Sequence, residues 1–273
     1  MALLIGIVII PAIALFIAGA SYSAASLRRV VDDQVSQSLF TAEARLSDAL
    51  YNLLELSARL VDDSEIRKVL AGSGSEIERT RTLDRAVSAL LLFFPWREDT
   101  RFTIIDPKGR IFTNWSRNLE EYSFLTSLPI ARGAFEERGH AVWEGFSPAY
   151  IREERKAGLS YVTVARTFPD FGEGGRGEAL LLLGLSDRAV AKILAEGRLG
   201  SRSLLLFATA EGSVIAKSER GIAAGGSGDR LAAVLASSKP GSAAIELGQS
   251  RYAISSSVVT KVPQQLKDLR WRL

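Results

Sequence analysis

Apolar and polar residues alternate along residues 101–115 in the manner of two short strands. Phe102, Ile104 and Ile111 are apolar and β-prone, and Asp-Pro-Lys-Gly at residues 106–109 lies between them. Aspartate can bond to its own backbone, proline presets φ, and glycine tolerates a positive φ, so this tetrapeptide is typical of a tight turn. The pattern therefore predicts a β-hairpin.

The same pattern recurs about a hundred residues later. Residues 204–217 align with the first hairpin, glycine on glycine and predicted strand on predicted strand. Each hairpin is followed by a helical pattern and by further strands, at 160–166 and 178–185 after the first and near 243–247 and 252–257 after the second. A repeat of this kind predicts a duplicated small α+β module.

An apolar stripe with alternating steps of three and four residues precedes the first hairpin. Its members are Leu39, Ala42, Leu46, Ala49, Leu53, Leu56 and Leu60. No Pro or Gly interrupts residues 21–71, so the period predicts one long helix there, followed by a second helix over 75–94 that ends at Pro95. Two uses of the stripe remain open: packing on the protein's own sheet, and pairing of the membrane-proximal half with the same helix of a second chain.

The first twenty residues form an apolar segment. No charged residue occurs from residue 2 to residue 20, and a helix of that length can cross a hydrocarbon core of roughly 30 Å. The segment predicts a membrane anchor at residues 1–22. Two alternatives are a buried core helix and a cleaved signal peptide, for which residues 18–20 offer small side chains, although a basic n-region is missing.

Composition narrows the function. A chain of 273 residues favours two domains, and a net charge of +3 with scattered Lys and Arg argues against a nucleic-acid partner. The chain has no cysteine, so disulfides and thiolate catalysis are excluded, and His140 has no second histidine with which to form a metal site or a catalytic triad. The glycine-rich residues 172–177 lack the Lys-Ser/Thr of a phosphate-binding loop. We therefore expect no enzymatic activity, no cofactor and no metal site.

Six side chains are candidates for binding a small molecule. Aromatic faces stack on small polar ligands, while tyrosine hydroxyls and an arginine set their orientation. The candidates are Trp115, Phe124, Trp143, Tyr150, Tyr161 and Arg166. Trp115 and Trp143 can instead fill the core, and Tyr161 and Arg166 alternate along one predicted strand, so at most one of that pair lines a pocket. The predicted ligand is small and polar, such as a sugar or an organic acid.

The order of these elements resembles the double Cache sensor region of bacterial membrane receptors, most closely that of two-component sensor histidine kinases, with chemoreceptors as relatives. The residues that carry the resemblance are 104–114, the strand 160–166 followed by Phe168-Pro169-Asp170 and Gly177, and Tyr252 with Trp271. The resemblance implies a PAS-like fold, an extracytoplasmic position between two membrane spans, and a ligand pocket in the membrane-distal module. An Arg followed closely by Trp-Tyr, as in amino-acid-binding members, is absent, which argues against an amino-acid ligand.

The expected fold class is α+β, with an N-terminal transmembrane helix and a long stalk helix carrying two PAS-like modules with antiparallel sheets. The expected divisions are an anchor at 1–22, the stalk and second helix at 23–94, a membrane-distal module at 95–196 and a membrane-proximal module at 197–273. Since the chain stops inside an apparent final strand, we expect further sequence after it. The expected function is that of a dimeric sensor region at the cell membrane that signals to a histidine kinase; the alternatives are a chemoreceptor sensor region and an anchored protein-interaction module.

The predicted orientation contains a conflict. Arg28 and Arg29 follow the apolar segment and no basic residue precedes it, so the positive-inside rule would place the bulk of the chain in the cytoplasm. The resemblance implies the opposite side, and the extracytoplasmic location is the one we predict.

Overall fold

A computed structural model describes residues 2–72, 75–114, 122–150, 152–168, 178–197, 204–209, 211, 213–218, 241–247, 250–269 and 271. The chain begins with α1 (Ala2–Asp62), a helix of 61 residues. Among the described residues, no helix combines the length and the apolar character needed to cross a membrane. The predicted anchor at 1–22 falls largely on residues 1–14, whose side chains lie outside the described part, so it stays a prediction.

The predicted apolar stripe is the face that α1 buries. Leu46, Leu53 and Leu60 are fully buried, and the stripe joins one core cluster with side chains of the sheet. Residues 15–34 of α1 are exposed along their whole length. The stripe therefore packs on the protein's own sheet, as one of the two alternatives predicted.

The prediction of one continuous helix to residue 71 is wrong, because the chain breaks at Asp63. This residue is extended (φ −65°, ψ 124°), and its carboxylate accepts hydrogen bonds of 2.9 Å from the N–H groups of Glu65 and Ile66. It thereby caps a new helix, α2 (Ser64–Leu70). An aspartate side chain that satisfies free N–H groups stabilises a helix start, and here it outweighs continuation of α1. The predicted second helix is α3 (Glu76–Leu91).

Five strands form an antiparallel sheet in the order β2-β1-β5-β4-β3. The strands are β1 (Thr100–Ile105), β2 (Ile111–Thr113), β3 (Val142–Pro148), β4 (Ser160–Phe168) and β5 (Ala179–Ser186). The first hairpin and the apolar strand β5 are direct neighbours, paired from Thr100 opposite Leu185 to Ile105 opposite Leu180. The predicted hairpin and the predicted strands near 160–166 and 178–185 are confirmed, and β5 is the central strand of the sheet.

The turn between β1 and β2 follows the predicted chemistry. The Asp106 carboxylate accepts from the N–H groups of Lys108 at 2.9 Å and Arg110 at 2.8 Å. Gly109 has φ +78° and donates its N–H to the Asp106 carbonyl at 2.9 Å. A side chain disfavours this φ, which explains the glycine.

The two faces of the sheet have different covers. Helix α1 and α7 (Asp187–Glu196), which Ser186 caps, pack on one face. On the other face, α4 (Tyr122–Ser127) and α5 (Pro129–Glu136) form a second, smaller core with side chains of β1, β4 and β5. A short helix, α6 (Arg152–Lys156), precedes β4.

The second hairpin is also present. It pairs β6 (Leu206–Ala208) with β7 (Val214–Lys217) in antiparallel fashion, and β8 (Gly241–Leu247) pairs with β9 (Ser250–Ser256). A 3₁₀ turn (Gln264–Leu269) and Trp271 close the described chain. The helical pattern that follows the second hairpin predicts a helix at residues 229–237, which lie outside the described residues, so the division into two complete modules stays a prediction.

Candidate ligand cavity

A cavity lies on the face of the sheet opposite α1, between β4, β5 and the chain that leaves β3. About 260 Å³ of its space is free of atoms, most of it in narrow gaps or open to solvent, so the enclosed part holds about one water molecule. Its lining is formed by Ser147, Pro148, Ala149, Tyr150, Tyr161, Thr163, Leu182 and Gly184. Two of the six predicted ligand-binding residues, Tyr150 and Tyr161, therefore face one space.

Tyr150 is anchored by an acid on β3, the strand that directly precedes it in the chain. Its hydroxyl donates to the carboxylate of Glu144. Burial raises the pKa of Tyr150, and the hydrogen bond and negative charge of Glu144 raise this pKa further. The side chain thus presents a protonated, oriented ring to the cavity.

Tyr161 is also hydrogen-bonded to an acid, in this case Glu154 of α6. Its hydroxyl donates to Glu154 at 2.9 Å, and Glu154 also accepts from Nε of Arg101 at 3.1 Å. Burial and Glu154 raise the pKa of Tyr161. The hydroxyl is therefore held in place by the Arg101–Glu154 ion pair.

A third acid, Asp187, directly follows β5 and lies beside the first residue of β4. Its Oδ2 accepts from the N–H of Ser160 at 3.2 Å, whereas its Oδ1 is buried and has no hydrogen-bond partner within the described part of the chain. Burial raises the pKa of Asp187. The surroundings of the two tyrosines are consequently rich in carboxylates.

A bulge in the edge strand β3 shapes one wall of the cavity. Glu144 pairs with Thr163 and Ser147 pairs with Tyr161, so three steps along β3 match two along β4. The extra residue returns Ser147 to the same face as Glu144. Sequence reasoning missed Ser147, since nothing in its immediate sequence announces a bulge.

The floor of the cavity depends on Gly184 in the central strand. A Cβ built there would lie 3.3 Å from Cδ1 of Tyr161 and 3.5 Å from Oγ1 of Thr163. Sequence reasoning overlooked both Thr163 and Gly184. Strand alternation places Thr163 with Tyr161, and a glycine inside an apolar strand marks a close approach, so both signals were available.

The remaining predicted residues lie elsewhere. Phe124 is half-buried in the smaller core, together with Tyr150. Trp143 packs against the main core on the α1 side, and Arg166 also points that way, donating from Nε to Oγ of Ser57 and from Nη1 to the Gly139 carbonyl, both at 2.9 Å. Burial lowers the pKa of Arg166. Trp115 lies outside the described residues.

Comparisons with known proteins identify the fold. No protein-family model matches the chain, and no curated protein matches it in sequence. The ligand-binding domain of the Pseudomonas aeruginosa PAO1 amino-acid chemoreceptor PctC, in complex with GABA, is similar in structure with a TM-score of 0.52 and 12% identity, over 89% of this chain and 97% of that one. The extracellular domain of the putative histidine kinase soHK1S-Z6 has a TM-score of 0.51 and 15% identity, over 92% and 94%.

A third similar structure is the ligand-binding domain of the Pseudomonas fluorescens chemoreceptor CtaA in complex with L-isoleucine, with a TM-score of 0.50 and 10% identity over 92% and 93%. At these identities the likeness shows the fold. The chain has the fold of the ligand-binding sensor domains of chemoreceptors and histidine kinases, which confirms the Cache-like resemblance at that level.

Proposed function

We propose that this chain is the extracytoplasmic sensor region of a membrane receptor, and that it binds a small molecule in the cavity between β3, β4 and β5. The observation that carries the proposal is the pair Tyr150 and Tyr161, which face one cavity on the sheet side opposite α1. Small-molecule sites are lined by apolar groups with a few oriented polar groups, and this cavity has such a lining. Because its enclosed part holds about one water molecule, binding of a larger ligand requires the walls of the cavity to move apart.

The charges around the cavity favour a neutral or positively charged ligand. Arg101 is paired with Glu154, which leaves Glu144 and Asp187 as acids without a cationic partner among the described ion pairs. A carboxylate ligand would lie near these acids and be repelled. Of the predicted ligand types, a sugar is therefore favoured over an organic acid, and amines join the set to be tested.

The neighbours bring two further ligand types into that set. GABA and L-isoleucine are bound by PctC and CtaA respectively. Both ligands carry an ammonium group, which suits the acid-rich surroundings of Tyr150 and Tyr161. Each also carries a carboxylate, and Arg101, the cation that contacts Glu154 beside Tyr161, is already paired with that acid.

The test is a thermal-shift screen of the purified chain against sugars, amines, amino acids and organic acids. Tyr161→Ala and Thr163→Val change the cavity, and Trp143→Phe, on the other face of the sheet, is the matched control. We expect a ligand's stabilisation to be lost in the cavity variants and kept in the control. Stabilisation that survives both cavity variants would contradict the proposed site.

The output we propose is a histidine kinase, reached through a dimer of the long helix. Exposed apolar side chains in the first half of α1, such as Leu27, Val30 and Val31, support helix pairing. A chemoreceptor output is the second candidate, because PctC and CtaA are chemoreceptors. The sequence that follows residue 273 distinguishes the two: a kinase transmitter supports the first and a methyl-accepting domain the second.

The proposed architecture has two PAS-like modules, at residues 95–196 and 197–273, between the anchor and the output. The paired hairpins β1–β2 and β6–β7 support the duplication. Limited proteolysis tests it, since two modules should yield a stable fragment that ends near residue 200.

A further inference from the structure

The edge strand β3 contacts two different parts of the molecule. Glu144 and Ser147 pair with cavity-facing residues of β4. Gly145 and Phe146, which lie between them in the bulge, contact the C-terminal segment instead. One strand therefore links the cavity wall to the end of the described chain.

The backbone of β3 makes the first of these contacts. A Cβ built on Gly145 would lie 2.7 Å from Cδ1 of Leu269, closer than carbon atoms approach. Leu269 thus lies directly against the bulge, where only a hydrogen fits. A movement of the bulge toward the 3₁₀ turn would therefore meet the side chain of Leu269.

An aromatic cluster makes the second contact. The ring centroid of Phe146 lies 5.9 Å from that of Phe207 and 5.7 Å from that of Trp271, with interplanar angles of 75° and 60°. Phe207 and Trp271 are 5.2 Å apart at 70°. These edge-to-face pairs join β3, β6 and the C-terminal segment, and both Phe207 and Trp271 are buried.

Helix α1 holds the same segment from the other side. Oε1 of Glu43 accepts from the N–H of Thr260 at 2.8 Å and from the N–H of Lys261 at 3.3 Å. The Tyr51 hydroxyl donates to the Val262 carbonyl at 3.3 Å. The first residues of this C-terminal segment, 260–262, are therefore attached to α1, and its last described residues, 269 and 271, contact β3.

We propose that β3 couples the cavity to this C-terminal segment. Filling or opening the cavity moves the bulge, and the bulge displaces Leu269 and Trp271 relative to α1. A bulged edge strand is suited to this role, because it is hydrogen-bonded on one side only and its extra residue is unpaired. Closely packed aromatic rings respond by changing their arrangement, since a packed core is not continuously deformable. The ligand part of this inference rests on the proposed function, but the coupling itself needs no ligand.

The first test changes the cavity and measures the segment. Gly184→Ala adds one methyl group next to Tyr161, on β5 and away from β3. Amide hydrogen exchange, measured by mass spectrometry on the whole chain, should change by about threefold or more in residues 264–271. Thr113→Ser, a similarly small change on β2 at the opposite edge of the sheet from β3, is the control and should leave that exchange unaltered.

The second test reverses the direction. Gly145→Ala places a methyl group against Leu269, whose side chain must then move. The rate of amide hydrogen exchange should change by about threefold in residues 147–161, which include the cavity wall. Leu269→Ala removes the side chain that the new methyl group would meet. The double variant Gly145→Ala/Leu269→Ala should therefore show the same amide exchange rates as the single variant Leu269→Ala.

Exchange changes that stay within β3–β5 after Gly184→Ala would overturn the proposal. So would an effect of Gly145→Ala that persists in the Leu269→Ala background. If Gly184→Ala does not fold, Tyr150→Phe changes the cavity without added volume, and the same outcomes apply. Because no ligand enters these experiments, a negative result removes the coupling and leaves ligand binding to its own test.

Discussion

The Tyr150 hydroxyl donates a hydrogen bond to the carboxylate of Glu144, across the bulge of the edge strand β3. Tyr161, on the facing strand, donates in the same way to Glu154. Each tyrosine is therefore buried beside a carboxylate that accepts a hydrogen bond from its hydroxyl. This arrangement orients the two rings around the cavity and stabilises the neutral phenol over the phenolate.

The tyrosine titration provides the first prediction. In the folded protein, Tyr150 and Tyr161 should remain protonated above the ordinary tyrosine pKa of about 10. Ultraviolet absorbance of tyrosinate during a pH titration should show two late-ionising groups, and Tyr150→Phe and Tyr161→Phe should each remove one.

The same shift has a consequence for stability. The folded-state pKa of each tyrosine is raised, so its contribution is complete below the unfolded pKa of about 10 and is lost as the pH rises toward the folded pKa. The free energy of unfolding should fall over that alkaline range, and less steeply in the Phe variants. If every tyrosine of the folded protein ionised with the ordinary pKa of about 10, the hydrogen bonds from Tyr150 to Glu144 and from Tyr161 to Glu154 would be contradicted.

The two halves of α1 should respond differently to the same substitution. Leu46 is fully buried, so Leu46→Ala should lower the free energy of unfolding by about 2–5 kcal/mol. Leu27 is 67% exposed, so Leu27→Ala should change it by about 0.5 kcal/mol or less. Chemical denaturation measures both values.

Leu27 also tests the proposed dimer. If the exposed start of α1 pairs with a second chain, Leu27→Ala should weaken association in analytical ultracentrifugation, whereas Leu46→Ala in the folded fraction should not. Equal association in the wild type and Leu27→Ala would argue against pairing through this face.

The break between α1 and α2 provides a matched pair of variants. Asp63→Ala removes the cap of α2 and should cost about 1 kcal/mol, within a range of about 0.5–2. Asp62→Ala removes an exposed ion pair with Arg67 and a charge interaction with Arg166 but leaves the cap in place, and should cost about 0–1 kcal/mol. Urea denaturation at neutral pH compares them; a larger loss for Asp62→Ala would show that the cap is not what separates the helices.

Arg166 should matter for stability and not for the ligand. Its guanidinium bonds Ser57 and the Gly139 carbonyl on the α1 side, so Arg166→Met should cost about 1–3 kcal/mol. Arg59→Met, at an exposed ion pair with Glu55, is the control and should cost about 0.5 kcal/mol or less. The affinity for any ligand found in the screen, measured by calorimetry, should be the same in Arg166→Met and wild type; a large loss would place Arg166 in the binding site.

The hairpin turn depends on one backbone conformation. Gly109 has φ +78°, so Gly109→Ala should cost about 1–2 kcal/mol. Lys108→Ala, one residue earlier at an exposed position, should cost about 0.5 kcal/mol or less. Thermal unfolding of the two variants distinguishes a conformational requirement from a general sensitivity of the turn.

Local patterns in the sequence determined the main elements of this protein. The turn chemistry of residues 106–109, the apolar run that became β5 and the period of the α1 stripe each predicted the element that the structure contains. The alternation along β4 also predicted that Tyr161 and Arg166 would point to opposite sides. These features depend on residues close together in the chain, so a periodicity of two or of 3.6 expresses them directly.

Tertiary structure decided the rest. The bulge that brings Ser147 to the cavity arises from the pairing of β3 with β4, and the position of Trp143 in the main core follows from which face of β3 meets α1. The contact of Gly145 with Leu269 joins residues more than a hundred positions apart. Such relationships depend on register and on distant packing partners, and a single sequence carries no local signal for either.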